Sequence, residues 1–111
     1  MASQKYIDKA QALIDKHPFL MLSKSWCPDC HYAYRVWDQF KVTDKVHVIE
    51  LDKMDNQSEA IELEKGFTHI AGRKWVPTIF FNGKVWGTEQ DLKRLASEDK
   101  LEESFKKENL I

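Results

Sequence analysis

The sequence predicts an α/β fold in which a small mixed sheet of four strands lies between helices. Three observations lead there. The apolar run Phe19-Leu20-Met21-Leu22 and the run Val46-His47-Val48-Ile49-Glu50-Leu51 enclose a segment whose residues Ala33, Val36, Trp37 and Phe40 recur at helical spacing. Strand, helix, strand in that order implies a parallel pair joined by a right-handed crossover. Further along, Thr78-Ile79-Phe80-Phe81 and Lys84-Val85-Trp86 flank Asn82-Gly83, two residues that tolerate the positive φ of a tight hairpin turn.

Each element has its own justification. Tyr6, Ala10, Leu13 and Ile14 mark one face of an amphipathic helix, and His17-Pro18 must end it because proline disfavours helix in the residue before it. The continuous apolar run that follows suits a strand buried on both faces. Pro28 fits the first position of the next helix, and Thr43-Asp44-Lys45 is turn-like before the second strand. Asn56 with Glu59 has the pattern of a capping box, after which Ala60, Leu63, Phe67 and Ile70 carry a third helix to Ala71-Gly72. Thr88-Glu89-Gln90-Asp91 caps a fourth helix bearing Leu92 and Leu95. Leu101 and Phe105 continue a helical pattern into a charged C-terminus that is expected to fray. The order is αβαβαββα with one more short helix, and residues 1–111 read as one domain without a linker.

The totals exclude several classes of function. With 17 basic and 18 acidic residues interspersed along 111, the formal charge is -1, which leaves no basic face for nucleic acid and no polybasic membrane signal. Lys5, Asp8, Lys9, Asp15 and Lys16 interrupt any early apolar run of signal-peptide length, and no later stretch is long enough to span a bilayer. A cytosolic, monomeric protein is expected.

The only two cysteines form the motif Cys27-Pro28-Asp29-Cys30, at the point where the first strand hands over to a helix. A single pair cannot be a secreted disulfide framework, and it supplies half the ligands of a closed zinc site. Thiol-disulfide chemistry fits the placement. The attacking species is the thiolate, and unpaired N–H groups and the dipole at a helix N-terminus favour that anion at Cys27. Cys30, one turn deeper, would be the resolving thiol that attacks a mixed disulfide on Cys27. Lys24 adds positive charge nearby. Asp29 works against it, placing a carboxylate close to the thiolate and making Cys27 a slower nucleophile than a neutral neighbour would. Two other readings stay open at this point: a metal half-site in which His31 joins the cysteines but a fourth ligand is wanting, and two inert thiols.

Several separated motifs resemble the glutaredoxin family, within the thioredoxin-fold superfamily, over nearly the whole chain. Ser23-Lys24-Ser25-Trp26-Cys27-Pro28-Asp29-Cys30 is similar to the family's active-site segment, with its lysine three residues before the nucleophile. Val48-Ile49-Glu50-Leu51-Asp52 resembles the second strand, and Gly72-Arg73-Lys74-Trp75-Val76-Pro77 resembles the segment carrying the cis-proline. Phe81-Asn82-Gly83-Lys84 and Gly87-Thr88-Glu89-Gln90-Asp91-Leu92 resemble the terminal hairpin and the glutathione-binding turn. The resemblance implies a thioredoxin fold, a cis bond before Pro77 that leaves the Val76 backbone free for substrate, and no tightly bound cofactor. It further implies glutathione as co-substrate, its glycine carboxylate near Lys24 and Arg73 and its γ-glutamyl end at the helix start from Thr88 through Glu89 and Gln90 to Asp91. Partners would then be glutathione and disulfide-containing or glutathionylated proteins.

The chain also departs from the family. Trp26 precedes the nucleophile where tyrosine or phenylalanine is usual, as it does in thioredoxins. Trp75 replaces a common threonine, Thr88 a usual second glycine, and Gln90 a usual aspartate. With Asp29 these point to modest activity, and to a groove whose walls are Trp26 and Trp75. The leading reading is a glutathione-dependent thiol-disulfide oxidoreductase. A thioredoxin-like reductase of protein disulfides, recharged by a flavin reductase, is the enzymatic alternative, and an iron-sulfur or metal carrier using Cys27 across a dimer is the non-enzymatic one.

Overall fold

The computed structural model describes residues 2–111. Helix α1 (Gln4–Lys16) is followed by strand β1 (Phe19–Ser23), helix α2 (Pro28–Gln39) and strand β2 (His47–Glu50). Helix α3 (Gln57–Ala71), strands β3 (Thr78–Phe81) and β4 (Lys84–Thr88), and helices α4 (Glu89–Ser97) and α5 (Leu101–Lys107) complete the order. The strands align as β2-β1-β3-β4, with β1 and β2 parallel and both other pairs antiparallel. This is the thioredoxin-like arrangement that the sequence predicts.

Alternation along the strands divides the core in two. Leu20, Leu22 and Phe80 point to one face, where Ala10 and Ile14 of α1 and Ala60, Leu63 and Phe67 of α3 cover them. Met21, Ile79 and Phe81 point to the other, against Val36 and Trp37 of α2, Leu92 of α4 and Phe105 of α5. Buried on both sides, β1 has no polar alternation, hence its unbroken apolar run.

The local signals act as expected. His17 is extended and ends α1 before Pro18. Asn82 and Gly83 turn the hairpin at φ 54° and 86°, and a bulge at Ile79/Phe80 re-registers β4 beyond it. Gly72 closes α3 at φ 87°. Asn56 caps α3 through Glu59 N–H at 3.1 Å, but the Glu59 carboxylate pairs with Lys9 of α1 at 2.9 Å instead of closing the box.

Two expectations need correction. The second strand is shorter than the apolar run that marks it: Val46 and Leu51 are buried just outside β2, and Leu51 opens a 3-10 turn, Leu51–Lys53. An apolar residue wants burial, and a turn over the core supplies it as well as a strand does. The charged C-terminus does not fray. Phe105 and Leu110 are fully buried, Asn82 Nδ2 donates to Glu108 O at 2.9 Å, and Lys45 Nζ donates to Leu110 O at 3.2 Å. The charges lie on the outer face of an amphipathic segment whose inner face completes the core.

Candidate active site

Cys27 is the N-cap residue of α2 and Pro28 its first helical residue. Pro28 brings no N–H, and no side chain caps this helix, so the first-turn amides that follow are left for a thiolate at Cys27. The turn is fixed by Cys27 N–H donating to Lys24 O at 3.0 Å and His31 N–H donating to Cys27 O at 3.1 Å. Cys27 is 7% exposed and Cys30 fully buried, so depth separates two identical side chains into an accessible thiol and a hidden one. Burial pushes the Cys30 thiol up to about 11, against hydrogen bonds from Ser23 and the Lys24 backbone that favour the anion.

The bond between Val76 and Pro77 is cis, and Cys27 Sγ lies 4.0 Å from Val76 O. The backbone of Val76 therefore borders the nucleophile. Beside it a groove of about 350 Å³ is lined by Lys24, Asp29, Glu64, Lys74, Trp75 and Val76. Lys24, Trp75 and Val76 thus line one groove.

The remaining predicted residues are placed differently. Arg73 is exposed and lays its guanidinium over the Trp75 ring at 5.0 Å, while Lys74 rather than Arg73 lines the groove. Thr88 is buried as the N-cap of α4, accepting from Gln90 N–H at 3.2 Å while its own N–H donates to Asp91 Oδ2 at 2.8 Å. Glu89 is also buried, and its carboxylate accepts from Trp75 Nε1 at 2.6 Å. The indole that replaces the family's threonine is thereby anchored to α4. Trp26 is 66% exposed and does not line this groove, so of the two expected walls only Trp75 is one. Trp37 and Phe80 are core, as their spacing predicts, and Trp86 packs on Phe81 at 5.0 Å.

Three sets of contacts escaped the sequence reading. Glu64, nearly buried on α3, sits 3.4 Å from Lys24 Nζ, so the lysine of the active-site segment is held in an ion pair. Its one signal is position: Glu64 falls at core-facing spacing between Ala60, Leu63 and Phe67, where a carboxylate needs a partner. Asp52 accepts from Ser25 N–H at 2.8 Å and from the Ser25 hydroxyl, which holds its carboxyl below the usual range. Ser23, Tyr34 and Glu50 form a third set beside Cys30. His31 is turned to Ser25 O at 2.5 Å, and among the described residues no group of three or more His, Cys, Asp or Glu could hold a metal ion.

Residues 19–86, which include both cysteines, Pro77 and the hairpin turn, match the glutaredoxin family model. Glutaredoxin-8 of Saccharomyces cerevisiae is 39% identical over 106 residues, covering 96% of each chain. The chain belongs to the glutaredoxin family. Glutaredoxin-1 of the same organism is 34% identical over 105 residues, 93% of each chain. The solution structure of a yeast dithiol glutaredoxin superposes with a TM-score of 0.86 at 38% identity, covering 98% of this chain and 99% of that one. As a glutaredoxin with a Cys-x-x-Cys pair, the protein is a thiol-disulfide oxidoreductase. No helix among the described residues is long and apolar enough to cross a membrane.

Proposed function

We propose that this glutaredoxin reduces glutathione mixed disulfides and protein disulfides in the cytosol as a monomer, with Cys27 as nucleophile, Cys30 as resolving thiol and glutathione as the reductant. The observation that carries the reading is the pairing of depth with position. Cys27 caps a helix beside the Val76 carbonyl, while Cys30 lies fully buried on the first turn of the same helix. Cys27 attacks a substrate disulfide, one substrate sulfur leaves as a thiolate, and the other stays bonded to Cys27. Either glutathione or Cys30 then attacks the Cys27 sulfur and frees the second substrate sulfur. Two molecules of glutathione return a Cys27–Cys30 disulfide to the dithiol and leave as glutathione disulfide.

The charges lining the groove suit a small zwitterionic co-substrate: Lys24 and Lys74 would meet a carboxylate, and Asp29 and Glu64 an ammonium. Arg73, Trp75, Val76, Pro77, Thr88, Glu89 and Gln90 are the remaining proposed contacts. The Lys24–Glu64 pair and the Trp75–Glu89 bond must yield or be shared when the tripeptide enters, and this favours modest activity. The same observations favour a second reading, a protein disulfide reductase recharged by a flavin reductase, because a groove already paired within itself suits an extended polypeptide better than a charged tripeptide.

Reduction of a glutathionylated peptide, with glutathione the sole reductant, tests both. Activity that disappears in Cys27→Ser and persists in Cys30→Ser establishes a monothiol route. Loss in both variants establishes the dithiol route. A native protein that is inactive with glutathione, yet reduces a protein disulfide when coupled to a thioredoxin reductase, replaces the first reading with the second.

A further inference from the structure

Single exposed apolar side chains are ordinary on a protein surface, and only their clustering carries meaning. Among the described residues the two most exposed large ones are Trp26 at 66% and Ile61 at 56%. Trp26 precedes the active-site helix and Ile61 lies on α3, yet both line one depression of about 190 Å³. That is below the roughly 300–1,000 Å³ of sites that take a whole small molecule, and it suits one side chain.

The polar groups around this depression are already committed. Lys24 and Glu64 pair at 3.4 Å, and the Asp52 carboxylate accepts from the Ser25 N–H and hydroxyl. Gln57 Nε2 donates to the carbonyls of Leu51 at 3.1 Å and Met54 at 2.7 Å. Leu51 and Ala60, both buried, complete the lining. What stays open to a ligand is therefore apolar surface between the Trp26 ring and the Ile61 side chain.

Position ties the depression to the reaction. Lys24 and Glu64 also line the groove beside Cys27, so the two hollows adjoin across that ion pair. Trp26 is the residue before Cys27, and consecutive Cα atoms are about 3.8 Å apart. Lys24 Nζ stands 6.0 Å from the centroid of the Trp26 ring, on the same ridge. In an extended chain the side chains alternate, so the residue two positions from a cysteine faces the same way as its sulfur, about 7 Å along. A polypeptide joined to Cys27 thus has that residue within reach of Trp26.

We propose that the hollow between Trp26 and Ile61 is a docking pocket for protein substrates, taking a large aliphatic side chain two residues from the cysteine that Cys27 attacks. The inference rests on the reading of Cys27 as the nucleophile toward protein disulfides, and it adds a feature by which such substrates are chosen. Glutathione has one residue on either side of its cysteine and so has nothing to place there. The pocket sorts protein thiols from one another and from glutathione, and the chemistry at Cys27 is the same for all of them.

Mixed disulfides of thionitrobenzoate with short single-cysteine peptides test the pocket. The Cys27 thiolate attacks the peptide sulfur, the bond between the two substrate sulfurs breaks, and thionitrobenzoate departs with the electron pair as a coloured thiolate, because the more acidic thiol leaves faster. The peptides carry leucine two positions before the cysteine, leucine two positions after it, or serine at both. At low peptide concentration one leucine peptide should react roughly tenfold faster than the serine peptide in the first phase of release, the lower end of what burying a leucine side chain supplies. Ile61→Ser should erase that preference and Ile61→Leu should keep it, while the mixed disulfide of glutathione with thionitrobenzoate reacts at the native rate in both. In the Cys30→Ser protein, with the favoured peptide held on Cys27, nuclear Overhauser effects should join the leucine methyls to the Trp26 ring and the Ile61 methyls. Leucine and serine peptides that react within about twofold of each other overturn the pocket, and so does a preference that survives Ile61→Ser. Release that continues in Cys27→Ser, with glutathione as with the peptides, overturns the nucleophile assignment, and the pocket falls with it.

Discussion

Asp29 lies between two cysteines on the exposed side of the α2 N-terminus, and its carboxylate meets Lys93 Nζ at 3.5 Å. Both side chains are about half exposed, so water and salt screen them and the pair cancels only part of the charge near Cys27. Asp29→Asn should accelerate the first attack by Cys27 roughly two- to threefold at low salt, the size of a unit charge a few ångströms away in water. Lys93→Ala should slow it. The burst of thionitrobenzoate measures both, and an unaccelerated Asp29→Asn would mean that the carboxylate does not reach the thiolate. Cys30 gives the other prediction at this scale. Its proton is held more tightly folded than unfolded, since burial raises the thiol from 9.0 to about 11. That contribution is complete below about pH 9 and lost as pH climbs through about 11. Chemical unfolding of the reduced protein should show stability falling across that window more steeply than in Cys30→Ala. Parallel slopes would contradict it. The two cysteines and the carboxylate between them were legible in the sequence because they are neighbours in it. Glu64 and the set of Ser23, Tyr34 and Glu50 were not, because each joins residues brought together only by strand register or by the packing of one helix on another.

Helix α3 decides between two effects of opposite sign. Gly66 lies inside it, where alanine is intrinsically better by about 1 kcal/mol. Yet a Cβ at this position would stand 2.3 Å from Tyr6 O and 2.8 Å from Tyr6 C, backbone atoms of α1 that no rotamer can move aside. Overpacking typically costs about 1–3 kcal/mol, occasionally more, and it should win here. Gly66→Ala is therefore expected to destabilise by about 1 to 3 kcal/mol in urea unfolding, where propensity alone predicts a gain. A gain would show that α1 and α3 can separate without loss. Helix α4 carries a related test. Trp75→Phe keeps an aromatic wall but removes the indole donor from the buried Glu89 carboxylate, and losing one partner of a buried charged group costs about 1–3 kcal/mol or more. Thermal unfolding should fall accordingly, and Glu89→Gln in the Trp75→Phe background should recover part of it. The elements themselves were largely readable, since amphipathic spacing, Pro18, Pro28, Asn56 and Asn82-Gly83 all speak locally. What spacing could not reveal was the end of β2, because an apolar residue such as Leu51 is buried equally well by a strand or by a turn over the core.

At the scale of the molecule the sheet separates two cores, and the reactive helix belongs to the one that the C-terminal segment closes. Trp37 of α2 packs on Phe105 at 5.7 Å, Phe40 meets the same ring at 5.1 Å, and Phe81 and Trp86 approach it from the sheet. Leu101 and Leu110 flank this cluster, and the backbone of residues 108–110 is tied to the β3–β4 turn and to Lys45. Composition hid this, because the charges that make residues 101–111 look like a solvated tail all lie on its outer face. The segment should therefore behave as core. Phe105→Ala should lower stability by about 3–5 kcal/mol and Leu110→Ala by about 2–5 kcal/mol, a large share of the 5–15 kcal/mol that keeps such a domain folded. Removing residues 101–111 should abolish cooperative unfolding and shift tryptophan emission to the red as Trp37 meets water. Cys27 is predicted to feel little of this while the chain remains folded, because its amides, its turn to Lys24 and the Val76 carbonyl do not depend on α5. The first phase of thionitrobenzoate release in Leu110→Ala, measured well below its melting point, should thus match the native rate. A slowed first phase with the fold intact would mean that the C-terminal core sets the geometry of the active-site helix as well as its stability.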